Sequence, residues 1–185
     1  HALERGEGKL SKTGALVINT GKYTGRSPDD RFIVDTPNVH DIVDWGKVNV
    51  PISRERADAI YDKMCAYMQN RDVGADNEYA LPIRVVCENA ASALFATQAF
   101  VRPDKEQLEN FEPKFTVLCT PGFKCVPERD GVNSEAAIIL DFEKNRVTVA
   151  CSKYSGEIKK GMFSVMNFLM PQRGVFPMHC SANIG

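Results

Sequence analysis

Two adjacent lysines, one arginine in a glycine-bearing stretch and a histidine near the carboxyl end carry the polar specificity of this chain. Arg26 sits in Thr24-Gly25-Arg26-Ser27-Pro28. Glycine lets backbone approach a ligand there, and a guanidinium offers a planar fork of donors suited to a carboxylate or a phosphate. The same residues also suit a plain turn with a surface arginine. Lys159 and Lys160 lie in Tyr154-Ser155-Gly156-Glu157-Ile158-Lys159-Lys160-Gly161, just ahead of an expected helix. Cations favour the carboxyl end of a helix, so lysines at its amino end oppose the macrodipole unless an anion sits there to be shared, which points to phosphate. Adjacent side chains diverge by about 100° on a helix, so the pair can serve two ligands, or simply be a solvated basic pair. His179 in Met178-His179-Cys180 falls in an expected strand, where a histidine is either a hydrogen-bonded core residue or a ligand, and the neighbouring cysteine makes no zinc set. Gly131-Val132-Asn133-Ser134-Glu135 reads as the turn before a hairpin and is assigned no chemistry. No G-x-x-x-x-G-K-[ST] loop is found, because Gly6-Glu7-Gly8-Lys9 lacks the upstream glycine and the hydroxyl.

The elements that must position these residues alternate between periods of 2 and 3.6, as in an α/β or α+β fold with a mixed sheet packed against helices. Ala15 to Ile18 reads as a buried strand and Arg31 to Asp35 as a second, with the Arg26 loop pinned between them. From the N-cap Ser53, apolar residues at Ala57, Ile60, Tyr61, Met64, Cys65 and Met68 fall on one helical face. Pro82 to Cys87 reads as strand, Asn89 to Phe100 as helix and Lys114 to Cys119 as strand. Glu135 to Asp141 and Arg146 to Cys151, joined by Phe142-Glu143-Lys144-Asn145, suit a hairpin. Met162 to Leu169 reads as an apolar helix stopped by Pro171, followed by a last strand from Val175 to Cys180.

Composition narrows the function classes. With 185 residues, 43% of them hydrophobic, there is chain enough for one sizeable core, so residues 1–185 are taken as a single domain. The 23 basic and 24 acidic side chains leave a net charge of -1, so no long-range field gathers nucleic acid or an anionic membrane, and any bound anion needs a local cluster. Six cysteines without a C-x-x-C pair, mostly inside apolar runs, read as buried thiols of a reducing, cytoplasmic compartment. No run reaches the roughly 18 to 20 apolar residues of a membrane span, and no basic-then-apolar signal segment opens the chain. The abrupt ends at His1 and Gly185 read as those of a piece of something longer.

Asn19-Thr20-Gly21-Lys22-Tyr23-Thr24-Gly25-Arg26-Ser27-Pro28-Asp29-Asp30-Arg31, Phe100-Val101-Arg102-Pro103, Tyr154 through Ser164, and Met178-His179-Cys180-Ser181-Ala182-Asn183 follow one another in a fixed order. In that order they resemble the motifs of ATP-dependent phosphoenolpyruvate carboxykinases across nearly the whole chain. The resemblance implies the family's substrate-binding amino-terminal domain, cut before the nucleotide-binding carboxy-terminal domain. It implies a lyase of gluconeogenesis that decarboxylates oxaloacetate and phosphorylates the enolate from ATP, giving phosphoenolpyruvate, CO2 and ADP. It further implies that Arg26 and Tyr154 hold substrate carboxylates or CO2, with Lys160 also at the substrate. Lys159, Lys160 and His179 then face the nucleotide phosphates, and Lys160 and His179 ligate Mn2+, with Mg2+ accompanying ATP. Lysine binds a metal only as the free amine, so its pKa must fall from about 10.4; a neighbouring cation such as Lys159 pushes that way.

The sequence departs from the family pattern in places. The phosphate loop, a metal-binding aspartate and a further catalytic arginine are absent, so the isolated chain is expected to lack carboxykinase activity. Between Arg71 and Gly74 the chain is about ten residues short of the pattern, at a place where relatives usually have an apolar strand. Ala91 stands where relatives commonly have tryptophan, Thr97 and Ala99 where larger or basic residues are usual, and Ala150-Cys151-Ser152-Lys153 departs from the usual glycine-threonine. The alternatives to an enzyme portion are a non-catalytic module that binds a small dicarboxylate or a divalent metal, and a purely structural relic.

Overall fold

Strands whose successive side chains point to opposite faces, both faces apolar, must be covered on both sides. The computed structural model of the chain, which describes residues 1–67, 81–102, 104, 106 and 111–180, builds such a sheet. Its strands are β3 (Arg31–Val34), β4 (Val50–Ile52), β5 (Ile83–Cys87), β6 (Phe115–Thr120), β7 (Ala137–Asp141) and β8 (Arg146–Ala150), in the order β4-β3-β7-β8-β6-β5. Neighbours run parallel, apart from the antiparallel hairpin β7–β8, in which Ile138 faces Val149. Asn145 closes that hairpin at φ 51°, a left-handed conformation asparagine tolerates. A separate antiparallel pair joins β1 (Gly8–Leu10) to β2 (Leu16–Ile18).

Helix α2 (Arg54–Tyr67) places Ala57, Ile60 and Met64 on one face of the sheet, against Phe32, Val34 and Ile139. On the other face, α3 (Ala90–Ala99) and α5 (Gly156–Leu169) bring Ala96, Ile158, Met162 and Val165 onto Ile33, Ile138, Val147 and Val149. Short helices α1 (Pro37–His40) and α4 (Pro127–Asp130) lie in the connections. Each fully buried Ile, Val or Met side chain contributes about 1.5–3 kcal/mol. Two such layers therefore fix the sheet edge from which α5 starts. At that edge the carboxyl ends of β6 and β8 meet, where the Cys151 N–H donates to the Thr120 carbonyl at 3.1 Å.

Three expectations are corrected. Residues 16–18 are a strand but not a buried one: Val17 is exposed, because β2 pairs only with β1 and no layer covers it. The carboxyl-terminal helix begins at Gly156, so Lys159 and Lys160 lie inside it and not ahead of it. Residues 175–180 form no strand, and Phe176, Met178 and His179 are exposed; after the Pro171–Arg173 turn, Gly174 at φ 71° sends the chain over the surface. Met68, the gap near Arg71, Pro103 and Ser181-Ala182-Asn183 lie outside the described residues.

Candidate active site

Helix α5 aligns the central residues. Ser155 precedes it without a side-chain cap, Gly156 opens it, and a Cβ on Gly156 would lie 2.4 Å from Cε1 of Tyr154, so only glycine lets the half-buried tyrosine ring fold back on the helix start. Lys159 points to solvent and Lys160 is half-buried. The Lys160 amine lies 5.3 Å from the centroid of the Phe163 ring, and the His179 ring meets that same ring edge-on, with centroids 5.5 Å apart. An amine and an imidazole nineteen positions apart are thus brought to one aromatic surface, although His179 is on an exposed segment and not in a strand.

The macrodipole conflict posed by the lysines resolves differently from expectation. Glu157, fully buried in the first turn, supplies the negative charge, so the helix start is already compensated from within. One Glu157 oxygen accepts the Ser27 N–H at 2.8 Å, and the other has no hydrogen-bond partner among the described residues. This bond crosses 130 positions and ties the Arg26 loop to α5. The loop is braced twice more. The Asn19 side chain accepts the Gly21 N–H at 2.9 Å, with Gly21 at φ 64°, and the Asn133 side chain donates to the Asp29 carbonyl. Residues 131–135, expected only to turn, therefore also hold the loop, with Ser134 Oγ 3.4 Å from the Tyr23 hydroxyl.

Arg26 itself is exposed. Its charge reaches Lys160, whose pKa is lowered by burial first, then by Arg26, Lys159 and Arg31. Arg26 therefore contributes more than the adjacent lysine on which the sequence argument leaned. Of the expected residues, the structure brings Lys160 and His179 to one ring, while Arg26 and Lys159 act on Lys160 through their charge. Tyr154 stands at the turn into α5, and no bond or ring contact among the described residues links its phenol to Arg26 or Lys160. Two residues the sequence reading passed over belong to the cluster. The Arg31 guanidinium donates to Ser164 Oγ at 2.7 Å, and that hydroxyl donates to the Lys160 carbonyl at 3.1 Å.

The chain matches the model of the family described as phosphoenolpyruvate carboxykinase over residues 1–185. It belongs to the phosphoenolpyruvate carboxykinase family. Phosphoenolpyruvate carboxykinase (ATP) 1 of Moorella thermoacetica is 54% identical over 191 aligned residues that take in 100% of this chain and 36% of that protein. Phosphoenolpyruvate carboxykinase (ATP) of Fusobacterium nucleatum is 53% identical over 99% of this chain and 36% of its own length, and that of Geobacillus kaustophilus is 49% identical with the same coverage. The chain thus spans about a third of the length of these carboxykinases.

Against that family background the cluster can be tested as a metal centre. Lys160 and His179 are two donors of the right kind, and no carboxylate neutralises Lys160 among the described residues. No group of three or more His, Cys, Asp or Glu side chains suited to a metal occurs among the described residues. Two nitrogen donors are thus the most that the described residues of this cluster offer a metal ion.

Proposed function

We propose that this chain is the substrate- and metal-binding portion of an ATP-dependent phosphoenolpyruvate carboxykinase, acting in gluconeogenesis in the cytoplasm. One observation carries the reading: the Lys160 amine and the His179 ring share the Phe163 ring, with the Arg26 charge close enough to lower the lysine pKa. In this reading oxaloacetate loses CO2 to give an enolate, whose oxygen takes the γ-phosphoryl group of ATP. Arg26 holds a substrate carboxylate through its fork, and Tyr154 orients the carboxylate or the departing CO2. Lys159, which is exposed, neutralises phosphoryl oxygens. Lys160 and His179 hold Mn2+, and Mg2+ enters with ATP; when bound, the metal supplies Lewis acidity at the enolate oxygen. Burial, Arg26, Lys159 and Arg31 all disfavour the Lys160 proton, which is the direction a metal-ligating amine needs. Nucleotide binding falls to the part of the relatives that this chain does not span. The thiols of Cys65, Cys87, Cys119, Cys125, Cys151 and Cys180 are all free, which supports a reducing compartment.

The test is a thermal melt of the chain with millimolar Mn2+. A ligand that binds only the folded state raises the melting temperature by mass action. Wild type is expected to gain stability, and K160M and H179A are expected each to lose that gain. An unchanged melting temperature for wild type, or a gain that survives both substitutions, rules the metal assignment out.

A further inference from the structure

Arg31 opens β3 immediately after the Arg26 loop, and its side chain is half-buried. Ser164 holds one end of the guanidinium, and Ser164 is in turn anchored to the Lys160 carbonyl, so the fork is fixed in direction. Its remaining N–H groups have no partner among the described residues, and Arg26 has no carboxylate partner there either. Burial and then the charge of Arg26 both work against Arg31, with Glu157 opposing them. Glu157 is committed to the Ser27 N–H. The two guanidinium groups thus repel one another, and the fully buried Glu157 offsets this only in part.

A cleft of about 580 Å³, a size suited to a small ligand, opens beside this pair; Arg26, Arg31, Lys47, Ser164, Asn167 and Phe168 are among its lining. Asp29 and Asp44 also face it, so an anion is confined to the cationic part of the cleft, where Arg26 and Arg31 offer planar forks and Lys47 a point charge. Tyr154, Lys160 and His179 do not line it.

We propose that Arg31 is a further carboxylate-binding residue of this chain, which with Arg26 clamps a small dicarboxylate, one carboxylate to each guanidinium. The proposal rests on the reading of Arg26 as a carboxylate holder and adds the residue that makes the site select for two carboxylates. Ser164 acts as the positioning residue that keeps the Arg31 fork aimed into the cleft.

Titration of the 185-residue chain with malonate and with acetate, followed by amide NMR, tests this. Wild type is expected to bind malonate roughly ten- to a hundredfold more tightly than acetate, the range set by one added charge-assisted hydrogen-bonded pair. R31M should bring malonate down to the acetate level while acetate binding persists at Arg26, which also reports that the fold is intact. R31K, which keeps the charge but not the fork, should fall between. If R31M fails to give a native spectrum, R31K and S164A carry the same prediction, with malonate weakened and acetate kept. Loss of malonate preference in R26M but not in R31M overturns the inference and leaves the Arg26 reading standing. Loss in R31M but not in R26M overturns the two-arginine clamp together with the reading of Arg26. No preference for malonate in wild type overturns both.

Discussion

At the scale of single residues, Glu157 joins the helix start to the loop that carries Arg26. A buried acceptor that loses its role strands its donor, and an unsatisfied buried N–H costs about 1–3 kcal/mol. Glu157→Ala is therefore expected to lower stability by about 1–3 kcal/mol and to speed exchange of the Ser27 amide, whereas Glu157→Gln keeps an acceptor and loses less. Chemical denaturation together with amide exchange checks this; equal protection of Ser27 in wild type and the alanine variant would show that the bond does not pin the loop. Arg26, Lys159 and Lys160 were legible in the sequence because their neighbours form contiguous motifs. Glu157, Arg31 and Ser164 were not, because their roles depend on pairings such as Ser27 with Glu157, across 130 positions, that no local pattern records.

At the scale of elements, α5 lies close on β8 at Gly161. A Cβ there would come within 2.8 Å of Cγ1 of Val147, a short, branched and fully buried side chain that has nowhere to move. Alanine gains about 1 kcal/mol of helix propensity, but overpacking a filled core costs about 1–3 kcal/mol. G161A is thus expected to lower the melting temperature, and in the V147A background the same substitution should cost nothing further, which a double-mutant cycle measures. A stabilising G161A in wild type would mean that α5 stands off the sheet. Five of the six strands of the main sheet are legible in the sequence to within a residue or two, since runs such as Ile138 to Leu140 are apolar; β4 is not, because Val50-Pro51-Ile52 is three residues long and carries a proline. The helix start was missed because Gly156 and Lys159 look like loop residues until the packing of Ile158 is known. The strand expected at residues 175–180 has the right side chains but no neighbouring strand to pair with, so propensity without a partner gave none. Likewise β2 is apolar yet only partly covered, with Val17 exposed, because burial depends on the layer above it. At Cys151, whose φ is 58°, the chain takes a left-handed turn that costs a non-glycine residue about 1–2 kcal/mol on the approach to Tyr154.

At the scale of the whole molecule, the end of the sheet away from the candidate site is held by charges. Asp141 is buried and accepts from Arg54 at 2.9 Å, from Arg146 at 2.9 Å and from the Lys144 N–H at 3.0 Å, while Asp58 pairs with Arg146 and Lys144. Arg146 also lies 4.0 Å from the Tyr61 ring centroid. Burial pushes both aspartates up, but these partners outweigh it and hold their pKa values below the ordinary 3.8. Asp130 is held far lower, first by Arg129, then against burial by Lys63 and the Val126 N–H. A carboxylate with a depressed folded-state pKa contributes stability that is complete above its unfolded pKa and is lost as pH falls through the folded one. Asp30, raised by burial, has the opposite sign but is a single group. Stability is therefore expected to hold from neutral pH down to about pH 5 and to fall steeply below about pH 4. Asp141→Asn should cost about 1–3 kcal/mol at neutral pH, because Arg54 and Arg146 lose their buried carboxylate but keep Asp58 and, for Arg54, Glu143, and it should flatten the acid limb. Denaturant midpoints against pH check both; an acid limb identical in the variant would remove Asp141 from the account.

The convergence of Lys160 and His179 on the Phe163 ring, with the charge of Arg26 acting on Lys160, is most directly tested by paramagnetic broadening in the labelled 185-residue chain titrated with Mn2+. The account predicts that resonances of His179, Phe163 and Lys160 broaden first, followed by those of the Arg26 loop, while the Asp58–Asp141 end of the sheet stays sharp. Broadening confined to exposed acidic groups, with His179 and Phe163 unaffected at millimolar Mn2+, would contradict it.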